Sequence, residues 1–411
     1  MRANIAWLDF RPEDMQSAKE LIRELQEEGL LDELGFGVLQ NAIAERLYPA
    51  TTTIMTASRY LFFITALYEH LEKKQTPSRE IEECARKMQH QLRDVLKQTE
   101  GDRRGVIGFQ AGKDLKRLPS NIYWNGMRRL GLFRRNWSES TYQVRLDQVY
   151  AESVPHADDD GALHAGSDAQ GAWDSRRPPP VFLDARGTFK ADTNFTLTRS
   201  EAKDLLHRFE TCFPNALLTY QLRNGIPEME YPWDVPRPPA ELAQVLRHAR
   251  ALSVLAQGVL LQYYALLLEA REQRGLAMPP VDLEGMFERW FDHGRELLVA
   301  WDLKEFFETD FWFEAQRPGA RSFLTHWRDE ALSQKDAHAV FASQKARKLV
   351  RDRELHVKPA KARLKFPAYL DTWNPAFLQQ GDLGEYGLFY RHRIGQRFAR
   401  EIIQGLRGGR A

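Results

Sequence analysis

Hydrophobic residues recur every three or four positions along most of the chain, with charged residues between them, and this spacing predicts helices. Four such stretches fall in the first hundred residues, and the others follow residue 197. They lie at 13–28, 54–71, 78–98, 240–273, 282–315, 320–334, 336–353 and 391–405. One more follows Gly37, carries Leu39, Ile43 and Leu47 and is stopped by Pro49, and another starts at Thr198 or Ser200. The sequence therefore predicts a mainly α protein with a helical domain at each end.

The central segment has a different pattern. Residues 101–137 contain short helical stretches broken by glycine and proline, with a turn at 118–120 before the second helix. Residues 140–150 (STYQVRLDQVY) alternate between apolar and polar side chains, which predicts a strand, and 181–189 predict a second strand. Between them, 155–180 are rich in Asp, Gly, Ala and Pro and predict a mobile loop. Helix, turn, helix and a short β-hairpin is the order of a winged helix.

The length of the chain, 411 residues, exceeds what a single hydrophobic core usually supports, so two or three domains are expected. Hydrophobic residues make up 43% and charged residues 28%, which is typical of a folded globular protein. The changes of pattern predict a helical N-terminal domain at 1–100, a winged-helix-like segment at 101–197 and a helical C-terminal domain at 198–411.

The apolar run at 251–270 (ALSVLAQGVLLQYYALLLEA) has the length of a membrane span. It contains polar residues such as Ser253 and Gln257, which favour a core helix instead. Cys84 and Cys212 are the only cysteines, too few for a disulfide framework or a zinc site, and the start has no apolar signal core. We therefore expect a soluble cytoplasmic protein without a membrane partner.

The charge of the chain is nearly balanced, with 58 Lys and Arg against 57 Asp and Glu and a net charge of +1. Nucleic acid would therefore have to bind at a local concentration of positive charge. Such a concentration lies between Asp102 and Trp137, where Tyr123, Trp124 and Phe133 are interleaved with the cations. The cations predicted to contact nucleic acid are Arg103, Arg104, Lys113, Lys116, Arg117, Arg128, Arg129, Arg134 and Arg135.

Arginine suits this contact because its planar guanidinium gives two parallel hydrogen bonds to a phosphate or to a guanine edge. The second helix of a winged helix enters the major groove while basic side chains neutralise phosphates, so DNA is the expected partner. The same residues also fit a solvated basic surface, or one that docks against an acidic protein partner or a neighbouring domain. A protein-only scaffold would instead expose the apolar runs at 54–67 and 251–268.

Catalytic chemistry has one weak candidate in the sequence. Asp184, Glu201 and Lys203 follow the order of the Asp…Glu-x-Lys motif, in which carboxylates hold a divalent metal and the lysine steadies the attacking water. That motif needs a strand, whereas residues 200–203 have the pattern of a capped helix start. Phosphate-binding loops, HExxH pairs and GxSxG elbows are missing from the sequence. We expect no catalytic residues, no cofactor and no metal, with a metal-dependent nuclease as the alternative.

Several stretches resemble, in the same order, a bacterial family of uncharacterised proteins classified as a domain of unknown function. The stretches are IAWLDF, DELGFGVLQNAIAERLYPATTTIMTASRYLFFITALY, GVIGFQAGKDLKRLPSNIYWNGMRRLGLF, LTRSEAKDLL and GLFYRHRIGQRFAREII. The family pattern usually has a tryptophan after the Tyr390–Arg391 pair, where this chain has His392.

This resemblance implies a biological setting rather than a reaction. Proteins of the family are often encoded near helicases, nucleases and modification enzymes of phage-defence islands. By analogy, the chain would be a non-enzymatic accessory subunit of a bacterial antiphage system that contacts DNA and a helicase or nuclease partner. No catalytic residue is carried over from the family.

Overall fold

The computed structural model of the chain describes residues 34–100, 105–109, 115, 117–152, 156–157, 163–164, 171–375, 378 and 387–408. The helix predicted at 13–28 lies outside these residues. So do four residues of the predicted nucleic-acid contact, namely Arg103, Arg104, Lys113 and Lys116.

Helices make up almost all of the regular structure in these ranges, which confirms the mainly α class. The seventeen α-helices of the described residues are α1 (Gly37–Leu47), α2 (Tyr60–Lys73), α3 (Ser78–Thr99), α4 (Pro119–Arg129), α5 (Glu139–Val144), α6 (Leu146–Glu152), α7 (Arg199–Cys212), α8 (Leu217–Asn224), α9 (Ala240–Glu272), α10 (Leu283–Ala300), α11 (Leu303–Phe307), α12 (Asp310–Ala315), α13 (Ala320–Ser333), α14 (Ala337–Ala342), α15 (Gln344–Val357), α16 (Pro367–Asp371) and α17 (His392–Leu406). The strand pairing seen there is only two residues long, between β1 (His156–Ala157) and β2 (Leu163–His164).

The helix predicted to start at Thr198 or Ser200 begins at Arg199, with Thr198 as its cap. The Thr198 hydroxyl accepts a hydrogen bond from the backbone nitrogen of Glu201 (3.2 Å), and the Glu201 carboxylate accepts one from the backbone nitrogen of Thr198 (2.7 Å). This reciprocal pair satisfies two backbone donors at the helix start. The predicted capping pattern is therefore formed.

The strand predicted at 140–150 is wrong, because these residues form α5 and α6. The alternation suggested that Tyr142, Val144 and Leu146 share one buried face. Val144 is 77% exposed, whereas Tyr142, Leu146 and Val149 are buried. The buried positions are four and three residues apart, which is the period of a helix rather than of a strand.

The second predicted strand, at 181–189, is also wrong, since a single bridge joins its two ends around a turn. Asp184 forms the turn, because its carboxylate accepts hydrogen bonds from the backbone nitrogens of Arg186 (2.9 Å) and Thr188 (2.8 Å). The two predicted strands do not pair with each other. The winged-helix-like segment with a short β-hairpin is therefore not the fold of this region.

The chain divides into two compact units, each built from segments that are distant in sequence. The first unit contains the described residues up to Ile43 and those from Ala243 to Tyr390. The second unit contains those from Ala44 to Leu242 and from Arg391 onward. The domain boundaries expected after residues 100 and 197 separate consecutive segments, and they stay a prediction.

The long helix α9 supplies core residues to the first unit. It is long and apolar enough to cross a membrane, yet all of its most apolar window is buried inside the structure, as in a core helix of a soluble protein. Trp290 and Trp327 pack against Gly258 of α9, where a Cβ atom would lie 2.3 Å from a Trp290 ring carbon. Trp290 also donates a hydrogen bond to the Val254 oxygen (2.7 Å). The expected core position of residues 251–268 is therefore confirmed.

The second unit has its core around α2, in which every residue from Tyr60 to Tyr68 is buried. Tyr68 stacks on Trp173, with ring centroids 5.7 Å apart and an interplanar angle of 14°, and meets Trp124 edge-on at 5.4 Å. Trp173 lies near the end of the segment predicted to be a mobile loop, and it is buried. The apolar run at 54–67 is thus largely internal rather than exposed.

Residues 287–327 are rich in aromatic side chains whose spacing predicts core packing, and a pair of substitutions tests this. Trp327 is fully buried, so Trp327→Ala should lower the free energy of unfolding by about 3–5 kcal/mol. Phe313, in the same stretch, is 59% exposed, and Phe313→Ala should change it by less than about 0.5 kcal/mol. Denaturant titration followed by circular dichroism gives both values. Equal losses from the two variants would contradict the core assignment.

Candidate nucleic-acid interface

The helix α4 is fixed by its inner face. The Tyr123 hydroxyl donates a hydrogen bond to the Ala57 oxygen (2.9 Å) and accepts one from the Thr56 nitrogen (2.8 Å). Gly126 lies close to the turn that follows α1. A Cβ atom here would come within 2.7 Å of the Ala50 oxygen, and glycine permits this approach. The side chains left on the outward face are those of Asn121, Asn125 and Arg128.

The outward face of α4 lines a groove of about 630 Å3, called the α4 groove below. Helix α3 and residues 137–143 supply its other walls. This volume falls in the range of roughly 300–1,000 Å3 that small-ligand sites occupy. The lining side chains that matter for its chemistry are those of Arg86, Gln89, Asn121, Asn125, Arg128, Trp137, Glu139 and Gln143.

Arg128 is half-buried in the groove and is held by two neutral amides. Its guanidinium donates to the side-chain oxygens of Asn136 (2.7 Å) and Asn125 (2.9 Å). It makes no salt bridge with any described residue. Amide oxygens orient a guanidinium without neutralising its charge, so Arg128 keeps a full positive charge for an anionic ligand.

Trp137 has arginines on its indole ring. The guanidinium of Arg135 lies 5.5 Å from the ring centroid, and that of Arg145 lies 5.3 Å from it. Arg145 is exposed and forms no salt bridge within the described ranges. The Trp137 backbone oxygen accepts a hydrogen bond from the Trp124 indole (2.9 Å), which ties this segment to α4. The side of the groove formed by Trp137 therefore combines an aromatic surface with positive charge.

Carboxylates also face the groove, and each has internal partners. Glu139 accepts hydrogen bonds from the Tyr68 hydroxyl (2.6 Å) and from the side-chain nitrogen of Asn121 (2.6 Å). Glu82 forms a salt bridge with Arg86 (2.9 Å). The lining is therefore mixed in charge, and its remaining polar groups are mostly amides.

Arg129, which the sequence predicted to contact nucleic acid, does not line the α4 groove. It forms an ion pair with Glu45 and lies over the ring of Phe213, 4.9 Å from the centroid. Burial and the neighbouring charge of Arg391 lower the pKa of Arg129. Its charge is already matched by a carboxylate inside the protein.

Arg134 is likewise part of an internal ion-pair network. It binds Asp174 (2.9 Å), and Arg208 (2.9 Å) and Arg176 (3.0 Å) bind the same carboxylate. Burial raises the pKa of Asp174, but hydrogen bonds from the three guanidiniums outweigh burial and hold this pKa well below its usual range. Arg134 therefore anchors the end of the 155–180 segment to the core.

The structure thus separates the predicted contact residues that it describes. Arg117 is exposed, Arg128 donates a hydrogen bond to Asn136, and Arg135 lies over the Trp137 ring. Arg129 and Arg134 serve internal ion pairs. The prediction that these residues contact nucleic acid stays a prediction, and its geometric support is concentrated at Arg128 and Arg135.

Sequence reasoning missed two cations of this surface. Arg86 on α3 lies outside the basic segment, and its position four residues after Glu82 signals only an exposed helix face. Arg145 lies in the stretch that was predicted to be a strand. Arg145 lies beside Trp137 because residues 139–144 form a helix, whereas their alternating pattern predicted a strand.

The two carboxylates of the possible nuclease motif, Asp184 and Glu201, make structural hydrogen bonds and ion pairs within the protein. Asp184 closes a turn, and Glu201 caps α7 and forms a buried salt bridge with Arg59 (3.1 Å). Lys203 is exposed on α7. Among the residues that the structure describes, no group of three or more His, Cys, Asp or Glu side chains is arranged to hold a metal ion.

A family model, described as the Family of unknown function (DUF6361), matches residues 2–405, almost the whole chain. The chain belongs to the DUF6361 family. The resemblance to a family classified as a domain of unknown function is thereby confirmed. No curated protein and no solved structure matches the chain. A genomic neighbourhood in phage-defence islands stays a prediction.

Three of the stretches that carry the DUF6361 resemblance meet at Glu45. The Glu45 carboxylate binds Arg129 at the end of α4 and Arg391 just before α17. Arg391 also donates a hydrogen bond to the Thr51 oxygen (2.7 Å). These contacts hold the end of α4 in place in this chain.

His392 is a buried polar residue. Its Nδ1 atom lies 2.5 Å from the Tyr48 hydroxyl, and its Nε2 atom lies 3.2 Å from the Met229 oxygen. Burial lowers the pKa of His392 to about 4, although hydrogen bonds with the backbone of Met229 and Glu230 raise it. His392 is therefore neutral in the folded protein at neutral pH.

We expect His392 to make the DUF6361 protein less stable in mild acid. Unfolded His392 takes up a proton near its ordinary pKa of 6.5, but the folded residue does so only near 4, so stability falls as the pH decreases between these values. His392→Asn should lose less stability over this interval. Denaturation midpoints at pH 7, 6 and 5 measure the difference, with the exposed His326→Asn as the control. Parallel pH profiles for wild type and His392→Asn would contradict the assignment.

Proposed function

We propose that this DUF6361 protein binds nucleic acid at the α4 groove and acts as a non-enzymatic subunit beside a helicase or nuclease partner. The observation that carries the proposal is a pair of arginines without a carboxylate partner in the described residues. Arg128 lines the same groove as Trp137, and the guanidinium of Arg145 lies over the Trp137 ring. Positive charge of this kind attracts phosphates, and an aromatic ring attracts bases.

The groove replaces the winged helix as the basis for nucleic-acid contact. A recognition helix projects into the major groove of a duplex, whereas the outward face of α4 lines a concave surface. Phosphate contacts therefore have to come from the side of the groove, where Arg128, Arg135 and Arg145 lie near Trp137. The near-zero net charge of the chain agrees with such a local contact rather than with wrapping.

The defence setting rests on the family resemblance, and the helicase or nuclease partner rests on the same analogy. The structure contributes an independent argument against the scaffold alternative, because the apolar runs that a scaffold would expose are internal. We propose a cytoplasmic location, which the proposed partners and the burial of α9 support. Of the setting, the partner, the location and the binding of DNA, the binding of DNA can be tested in a single experiment.

Charge reversal at the groove should weaken binding and its dependence on salt. The double variant Arg128→Glu/Arg145→Glu should bind a labelled DNA oligonucleotide at least tenfold more weakly, since two phosphate contacts are lost. The slope of log K against log salt should become shallower by about 1.4–1.8. Fluorescence anisotropy across a salt series measures both quantities.

The matched control reverses two exposed arginines that are outside the groove. Arg289→Glu/Arg321→Glu changes the net charge equally and should retain most of the affinity, because neither residue lines the α4 groove. Thermal melting of each variant verifies that the fold is kept. Equal losses from the two double variants, or unchanged binding by the groove variant, would overturn the proposal.

A further inference from the structure

We propose that the ligand of the α4 groove is a single strand, with one unpaired base inside the groove and its phosphates at the arginines beside Trp137. This inference rests on the proposed function and specifies which form of nucleic acid is bound. In a duplex the bases are stacked inside the helix, so no base edge reaches into a concave pocket unless the base is extruded. An unpaired base has no such restriction.

The charge of the lining decides which part of a nucleotide enters. Glu139 and Glu82 face the groove, and their carboxylates repel a phosphate placed among them. Arg145 is not part of the lining and lies over Trp137 instead. We therefore expect the neutral base beside Glu139 and the phosphate at the edge of the groove, between Arg128 of the lining and Arg145 over Trp137.

The side chains of Asn125 and Gln143 offer the groove one hydrogen-bond donor and one acceptor, as the edge of a base requires. Asn125 uses its oxygen to hold Arg128, which leaves its side-chain nitrogen as a donor. Gln143 uses its nitrogen to donate to the Tyr68 hydroxyl (3.1 Å), which leaves its oxygen as an acceptor. A donor and an acceptor in one pocket recognise a nucleobase edge, which carries both kinds of group, and recognise a bare phosphate poorly.

Trp137 gives the base a stacking surface. Its ring holds the guanidiniums of Arg135 and Arg145, and a stacked base would take the place of one of them, which would then be beside the phosphate of that base. Bases stack on such rings with little dependence on sequence. The indole is half-buried and its backbone oxygen is bonded to Trp124, so replacing the side chain leaves that anchoring bond intact.

The experiment compares three ligands of equal length: a single strand, the matched duplex, and a strand in which abasic sites replace the central bases. Single-stranded DNA and RNA are both used, since either one has the unpaired bases. We expect the single strand to bind at least tenfold more tightly than the duplex or the abasic strand. Trp137→Leu should lower single-strand affinity to the level of the abasic strand, and Trp137→Phe should restore most of it.

Phe313→Leu, at an exposed aromatic position of the first unit, is the control and should bind like the wild type. Duplex binding as tight as single-strand binding, or an abasic strand that binds as well as the intact one, would overturn the inference. If the arginine variants still weakened binding in that case, the proposed function would stand and only the single-strand assignment would fail. Failure of all three ligands to bind would overturn both.

Discussion

Glu45 accepts hydrogen bonds from two guanidiniums, those of Arg129 at the end of α4 and of Arg391 before α17. Without this carboxylate the two cations would repel each other, as the lowered pKa of Arg129 indicates, with burial as its first cause and Arg391 as its second. Neighbouring residues on a helix point about 100° apart. Because Arg129 is directed to Glu45, the adjacent Arg128 is turned toward the groove, where amides hold it.

This arrangement divides the basic residues into two groups that a charge count treats as one. Arg129 and Arg134 each have a carboxylate inside the second unit, so their charge stabilises packing. Arg128 and Arg145 have amide or aromatic neighbours instead. A cation that is already paired gains little from a phosphate, because binding the phosphate would first require breaking the internal pair. The ligand-binding capacity of the segment therefore depends on the second group.

Most helices were predictable because their apolar residues follow the helical period, as α4, α7, α9 and α13 illustrate. The partners of Arg129 and Arg134 were not, since Glu45 and Asp174 lie 84 and 40 residues away in sequence and only tertiary packing brings them near. Arg128 was identified from its place in the basic segment. Arg86 and Arg145 were missed because they lie outside that segment, and only the folding of α3 and α5 brings Arg86 to the groove and Arg145 to Trp137.

The helix in place of the strand predicted at 140–150 also changes the kind of ligand that we propose. A strand there would have put Tyr142 and Val144 on opposite sides from Gln143 and completed a wing, with α4 projecting as a recognition helix. As a helix, α5 instead presents Glu139 to Tyr68 and Asn121 and presents Gln143 to Tyr68, so it closes one side of a groove against α4. The same basic segment would thus surround an inserted group from several sides. A concave, amide-rich surface with an aromatic wall favours an unpaired base over the convex surface of a duplex.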